Sequence, residues 1–337
     1  MASLKDIAGE LNISISLVSK VLNNRMGTAG VSPAMQEAIF KKAEELNYQK
    51  NTSALSLRKG THDTIGVYIH RHGESGSGLL ENLVLGIAEV ARSQHQKLML
   101  SFFEKPEEFI AMSASIHRGT MDGMIVGGLS HKELSDAVLG ISQQGLPVVT
   151  IQNDPMHEEI TNISMNEAQI GYFATQHLIE QGCTRIGHIY TMDARYEGHC
   201  RALKEAGLPV DSELVFDAGE FGFTLMAGEA AAKKILVDGL DVDGLVAESD
   251  QQALGAMNTL AQGGVVIPNQ IKIIGVDDAA FCRYMPIQIS SVSQETESKG
   301  RLAMEMLMKL SDGQQVESVT LDPVIKFRHS SGAPSVD

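Results

Sequence analysis

Between residues 64 and 276, short apolar runs alternate so regularly with amphipathic stretches that one broad class of body fits them. Strands read at 65–69, 97–103, 123–126, 147–151, 160–163, 186–190, 214–216, 244–247 and 271–276. Helices read between them at 79–94, 106–117, 131–144, 167–181, 195–206, 224–236 and 251–262. Four of these helices run into Gly145, Gly182, Gly207 and Gly263, and glycine takes the left-handed turn after a helix without a Cβ clash. Strands apolar on both faces and separated by helices make parallel sheets covered on each side. The alternation pauses at 151–160, which divides the body into two lobes. A strand near 289–292, a helix at 295–310 and a strand at 319–327 can return to both lobes. Two such lobes enclose a cleft at the C-terminal ends of their strands, where small ligands bind.

Ahead of this body, residues 5–23 read K-D-I-A-G-E-L-N-I-S-I-S-L-V-S-K-V-L-N. Ile7, Ala8 and Leu11 lie at helical spacing. Asn12 then interrupts, and asparagine tolerates the left-handed backbone of a tight turn better than most residues. Ser14 is placed to cap a second helix, 15–22, whose Leu17, Val18, Val21 and Leu22 face inward. Ile15, Ser16, Ser19 and Lys20 face outward. Two short helices joined by such a turn form the helix-turn-helix, whose second helix enters the DNA major groove. Ser32-Pro33 starts a third helix, 33–46, which closes a small all-helical head with Tyr48 beneath it.

Charge is distributed unevenly. Residues 1–60 carry eight Lys/Arg against five Asp/Glu, a net of +3, so the total of −15 leaves −18 on residues 61–337. Only the head is therefore suited to approach a polyanion. No stretch approaches the ~18–20 apolar residues of a membrane span. The N-terminus, M-A-S-L-K-D-I, has no basic region followed by an apolar run, so a cytoplasmic protein is expected. Cys183, Cys200 and Cys282 have neither the parity nor the spacing of a disulfide framework or zinc site.

Little in the chain looks catalytic. It lacks G-x-S-x-G, H-E-x-x-H and the Walker loop. The run G-E-S-G-S-G at 73–78 has the wrong spacing for a dinucleotide fingerprint. His70 and His72 flank Arg71, which fits a strand end better than a metal site. No enzyme activity, cofactor or metal is expected.

K-D-I-A at 5–8, S-x-x-x-V-S-K-V-L-N at 14–23, V-S-P at 31–33, N-x-x-x-x-x-L-R-K-G at 51–60 and T-I-G-V at 64–67 together resemble the lactose-repressor (LacI/GalR) family of bacterial transcription regulators. H-L-I-E-Q-G at 177–182, R-I-G-H-I at 185–189, D-Q-Q-A-L-G-A-M at 250–257 and I-I-G-V-D-D at 273–278 extend the likeness through the body. The resemblance implies a helix-turn-helix head at 1–49, a hinge helix and linker at 50–62, and a two-lobed α/β body of periplasmic-binding-protein type at 63–330. The first lobe would comprise about 63–160 and 293–318, and the second about 161–292 and 319–330. Residues 331–337 would be a disordered tail.

By the same resemblance, Ile15, Ser16 and Lys20 read major-groove bases, with Ser14, Ser19 and Asn23 near phosphates. Lys20 can donate to guanine O6 and N7. Leu57 matches the leucine that family hinge helices insert into the minor groove, with Ala54 beside it and Asn51 at the hinge start. Lys50 replaces the usual proline, and the loop at 24–31 is longer than usual. In the cleft, Arg195 stands where relatives grip an effector, Asp277 where an acid accepts from sugar hydroxyls, and Phe223 where an aromatic ring provides a platform. Gln152 and Asn166 stand where acids are common, and Ser249 stands where asparagine precedes Asp250. Fewer carboxylates would favour a neutral or anionic effector, such as a sugar acid or sugar phosphate.

The expected protein is a dimeric repressor on a pseudo-palindromic operator, controlled by a sugar-like effector. Its dimer would bury the helix at 79–92 through Leu80, Leu83, Val84 and Ile87. The competing readings are a regulator whose body answers to a protein partner, a solute-binding module without DNA function, and an α/β enzyme.

Overall fold

The computed structural model describes residues 2–23, 30–48, 61–70, 77–128 and 132–334, and the chain divides into two compact units at residue 60. The hinge expectations at Lys50, Asn51, Ala54 and Leu57 lie outside the described residues. So do residues 24–29 of the long loop.

In the head, α1 (Leu4–Leu11) opens with a capping box between Ser3 and Asp6 and ends at Asn12, which has φ 52° and ψ 45°. The expected left-handed turn is therefore present. α2 (Ile15–Leu22) starts at Ser14, whose hydroxyl accepts from Leu17 N at 3.2 Å. α3 (Pro33–Glu45) is capped by Ser32. Ile7, Ala8, Val18, Val21, Leu22, Ile39 and Ala43 form the core, with Leu11, Met35 and Tyr48 partly buried against it. Leu17, expected inside, is only half-buried and lies outside this cluster. The three-helix core is too small to cover α2 so far round.

In the body, β1 (Thr64–His70), β2 (Lys97–Phe103), β3 (Gly123–Gly127), β4 (Val148–Ile151), β5 (Thr161–Met165) and β11 (Val319–Leu321) form one parallel sheet, ordered β11-β5-β4-β3-β1-β2. The second sheet contains β6 (Ile186–Tyr190), β7 (Val215–Asp217), β8 (Gly244–Ala247), β9 (Lys272–Val276), β10 (Ser290–Ser293) and β12 (Val324–Lys326). Its order is β12-β10-β9-β8-β6-β7, and only β12 runs antiparallel. The covering helices are α4 (Leu79–Ser93), α5 (Pro106–Ser113), α6 (Lys132–Gln143) and α11 (Thr296–Ser311) in the first lobe. The second lobe has α7 (Glu167–Glu180), α8 (Asp193–Glu205), α9 (Leu225–Asp238) and α10 (Asp250–Gln262).

The lobe boundaries differ from those expected. The strand at 160–163 belongs to the first sheet, not the second, because β5 pairs with β4 from Val149 to Ile151. The single strand expected at 319–327 is two strands in different sheets, β11 on β5 and β12 on β10. Pro323 lies between them, where a residue without an N–H ends the ladder. The chain therefore crosses between lobes at Asn166, at Gln294–Glu295 and at Asp322–Pro323. Asn166 N donates to Leu321 O at 2.9 Å, and its side chain reaches Asp322 Oδ1 at 3.4 Å. It is a crossover residue and the N-cap of α7.

The C-terminal tail is also more ordered than expected. Ser330 and Ser331 are fully buried and Ala333 is buried. Ser331 Oγ lies 2.7 Å from His177 Nε2 and 2.6 Å from Ser290 Oγ. Small hydroxyl residues here satisfy one another's polar atoms, so a segment that looks like a loose polar end can be buried. Residues 335–337 lie outside the described residues.

Helices cross at very short range in both lobes. A Cβ on Gly171 of α7 would lie 1.8 Å from Arg195 O, and one on Gly198 of α8 would lie 1.9 Å from Ala168 O. In the first lobe, a Cβ on Gly86 would lie 2.0 Å from Glu297 O, and one on Gly300 would lie 2.3 Å from Leu83 O. Glycine is required at both crossings because the backbones themselves touch.

Candidate functional site

The head offers an outward face on α2. Ile15, Ser16 and Lys20 are exposed, while Val18 and Val21 on the opposite side are buried. Ile15 is 47% exposed, a large apolar side chain on a face with no internal role. Ser14 and Ser19 flank this face. Asn23 Nδ2 donates to Ser19 O at 2.8 Å, which closes the end of the helix. Lys20 is the cation in the last turn of α2, where the helix dipole favours it.

The body gathers acids and amides at the C-terminal ends of strands. Glu248 follows β8, Asp277 follows β9, Gln294 follows β10 and Gln152 follows β4. Arg195 comes from the first turn of α8 and Glu167 from the first turn of α7. The glycine crossing of α7 and α8 brings those two turns together. Arg195 Nε donates to Glu167 Oε2 at 2.7 Å, and its Nη1 donates to the Glu248 carbonyl. Its guanidinium carbon lies 5.5 Å from the centre of the Phe223 ring, within cation–π range. Arg195 and Glu167 are both buried.

Asp277 Oδ1 accepts from Gln294 Nε2 at 2.6 Å. Burial pushes the Asp277 carboxyl above its ordinary value, against the opposing pull of Arg195. Its φ of 115° is strained for a residue with a side chain, at a cost on the order of 1–3 kcal/mol. Asp250 is likewise pushed upward by burial and by the charge of Asp277.

Glu248 is held at both carboxylate oxygens. Its Oε2 accepts from Thr191 N at 3.2 Å and Met192 N at 2.8 Å, and its Oε1 lies 2.7 Å from His188 Nε2. Burial raises Glu248 to about 8 and lowers His188 to about 3, Arg195 adding to the latter shift. Gln252 binds three loops together: its Nε2 donates to Thr191 Oγ1 and Gly222 O, and its Oε1 accepts from Glu248 N at 2.8 Å.

The structure thus brings Arg195, Phe223 and Asp277 into one charged neighbourhood. Ser249 belongs to its scaffold: the hydroxyl accepts from Gln252 N at 3.0 Å and donates to Phe223 O at 2.6 Å. Gln152 comes from the other lobe, and both side-chain amide atoms are buried without a partner among the described residues. The expected shortage of carboxylates is not found, since Glu167 and Glu248 stand beside Arg195. Sequence reasoning missed both, along with His188, Gln252, Gln294 and Lys299. The usable signal was a histidine inside the apolar strand 186–190, because a polar group there needs a buried partner. Among the described residues no cluster of His, Cys, Asp and Glu could hold a metal ion, and no helix is long and apolar enough to cross a membrane.

A model of the lacI family of bacterial regulatory proteins matches residues 3–51, and a periplasmic binding protein-like domain matches residues 175–331. The transcriptional regulator GalR of Escherichia coli is 27% identical over 350 residues, spanning 100% of this chain and 98% of its own. The repressor PurR of Vibrio vulnificus is 28% identical and 92% of each chain is covered. Among solved structures, the regulator CelR in complex with cellobiose superposes with a TM-score of 0.70 at 25% identity, over 98% of this chain and 100% of its own. The lac repressor dimer bound to operator and the anti-inducer ONPF gives a TM-score of 0.82 at 19% identity, over 98% and 99%.

Proposed function

Because this chain belongs to the LacI/GalR family of DNA-binding transcription regulators, we propose that it is a cytoplasmic repressor that binds a pseudo-palindromic operator as a homodimer and answers to a sugar-like effector. The observation that carries the DNA half of this reading is the outward face of α2, where Ile15, Ser16 and Lys20 stand over a packed core. Ile15, Ser16 and Lys20 read base edges, and Ser14, Ser19 and Asn23 lie along the phosphates. Asn51, Ala54 and Leu57 form the minor-groove hinge. Residues 1–49 are the DNA-binding unit and 50–62 the hinge.

The effector half rests on the cleft. Arg195, Asp277, Phe223 and Gln152 surround the effector, with Ser249 holding the Phe223 loop in place. Cellobiose in the CelR complex is the precedent among relatives. Closure of the lobes around the effector changes how the two hinges are presented, by as much as the effector distinguishes the two states.

The dimer forms through the first lobe. Leu83 and Ile87, expected at its interface, are core residues instead. Exposed apolar side chains remain at Leu80 and Leu85 on α4 and at Met99, Leu100 and Phe102 on the edge strand β2. This surface supplies the contact.

Selection of bound sequences from random duplex DNA by the full-length protein tests the reading. A short palindrome with a central C-G step is the expected product. Recovery of no motif at any salt concentration would overturn it.

A further inference from the structure

Among the described residues the cleft contains two buried cations in different circumstances. Arg195 is matched by the carboxylate of Glu167. Lys299, the fourth residue of α11, is only 7% exposed, and the contact found for its ammonium is Gln294 Oε1 at 3.4 Å. That partner is a neutral amide. Glu167 and Asp277 are near enough to favour the charge of Lys299, and Arg195 opposes it. Glu167 Oε2 is taken by Arg195 and Asp277 Oδ1 by Gln294, while Glu167 Oε1 has no hydrogen-bond partner among the described residues. Burial lowers the ammonium to about 8, so it stays largely charged at neutral pH.

An ammonium offers three donors, and a buried charge without a matched anion is costly to the fold. An apolar side chain of the same length would avoid that cost. The placement is also enforced. Gly300, next in the chain, holds α11 against Leu83 so closely that no Cβ fits. Leu307, further along α11, packs on Gly123 at the start of β3. The N-terminal turn of α11 therefore lies toward the opposite, C-terminal ends of the strands. Gln152 follows β4 at that same edge, and neither atom of its buried amide has a partner among the described residues.

We propose that Lys299 is an effector-contact residue that receives an oxyanion, a carboxylate or a phosphoryl group, so that the effector class is acidic sugar derivatives. This deepens the effector reading of the cleft and rests on it.

The test uses the full-length protein in two arms. In the first, hexoses and pentoses, the matching aldonates and uronates, and the matching sugar phosphates are titrated calorimetrically into wild type, Lys299→Met and Lys299→Arg. An acidic member should bind wild type, lose roughly 10- to 100-fold in Lys299→Met, and recover in part in Lys299→Arg. Whether the aldonates and uronates or the phosphates bind identifies the oxyanion. In the second arm, thermal melting without ligand should place Lys299→Met at or above wild type, since its buried charge has been removed. Binding of neutral sugars alone would overturn the proposal and leave the effector cleft standing. Acid binding that persists in folded Lys299→Met, or a marked fall in that variant's melting temperature, would assign Lys299 a structural role and overturn it. If no member of any series binds, the effector reading of the cleft falls and this proposal falls with it.

Discussion

Arg195 and Glu167 form a buried ion pair, Nε to Oε2 at 2.7 Å, between the first turns of two helices that touch through glycine. Removing the carboxylate leaves Arg195 without its hydrogen-bonded anion, with Glu248 and Asp277 still favouring its charge. Glu167→Gln should destabilise the body by about 3–5 kcal/mol, measured by urea unfolding followed through tertiary probes. Loss of less than about 1 kcal/mol would mean that solvent reaches the pair.

The same crossing predicts a steric effect. Gly198→Ala puts a methyl group 1.9 Å from the Ala168 carbonyl, so α7 and α8 must separate. The Arg195–Glu167 contact should lengthen, and effector binding should fall with stability by more than the sub-kcal change typical of surface substitutions. A crystal structure of the variant with the crossing unmoved would refute this.

In the head, Lys20→Ala should weaken operator binding by about 1–3 kcal/mol and relax preference at one position of each half-site. A uniform loss across all sequences, with a shallower salt dependence, would instead assign Lys20 to phosphate. Titrations against the selected operator and single-base variants at two salt concentrations separate these outcomes.

Glu248 provides a pH signature. Its folded pKa, about 8, lies above the ordinary carboxylate value, so the folded state holds the proton more tightly. Its stabilising contribution is complete below the unfolded pKa and declines as pH rises through about 8. His188 acts oppositely, but only from about 3 to its ordinary value near 6.5. Between pH 6.5 and 8 the body should therefore lose stability, with Asp250 contributing in the same direction. Glu248→Gln should flatten that slope by up to about 1.4 kcal/mol per pH unit. An unchanged slope would show that Glu248 is ionised throughout.

The parts of this molecule governed by local chemistry could be read from the chain. Asn12 followed by Ser14 specifies a turn and a cap regardless of what surrounds them, and α1 and α2 start and end where those residues require. The βα alternation likewise specifies parallel sheets. What could not be read depends on contacts distant in sequence. Lys299, near the start of a polar helix, looks like a solvated cation until Gly300 is found against Leu83. Glu248 and His188 are 60 residues apart and meet only because β6 and β8 are neighbours. Leu83 and Leu85 are equally apolar, and only the rotation of α4 on its sheet decides that one is core and the other exposed. Pro323 was a legible signal, and it marks the place where one apparent strand becomes two.

The late position of β11 and β12 bears on how the protein is made. The head core closes within the first 48 residues, so it can fold while most of the chain is still untranslated. Neither sheet of the body can be completed until residues 319–326 have been added, because each takes its final edge strand from there. A nascent chain thus presents a finished DNA-reading head on an unfinished sensor. Truncation by premature termination before residue 319 would leave each sheet short of one edge strand.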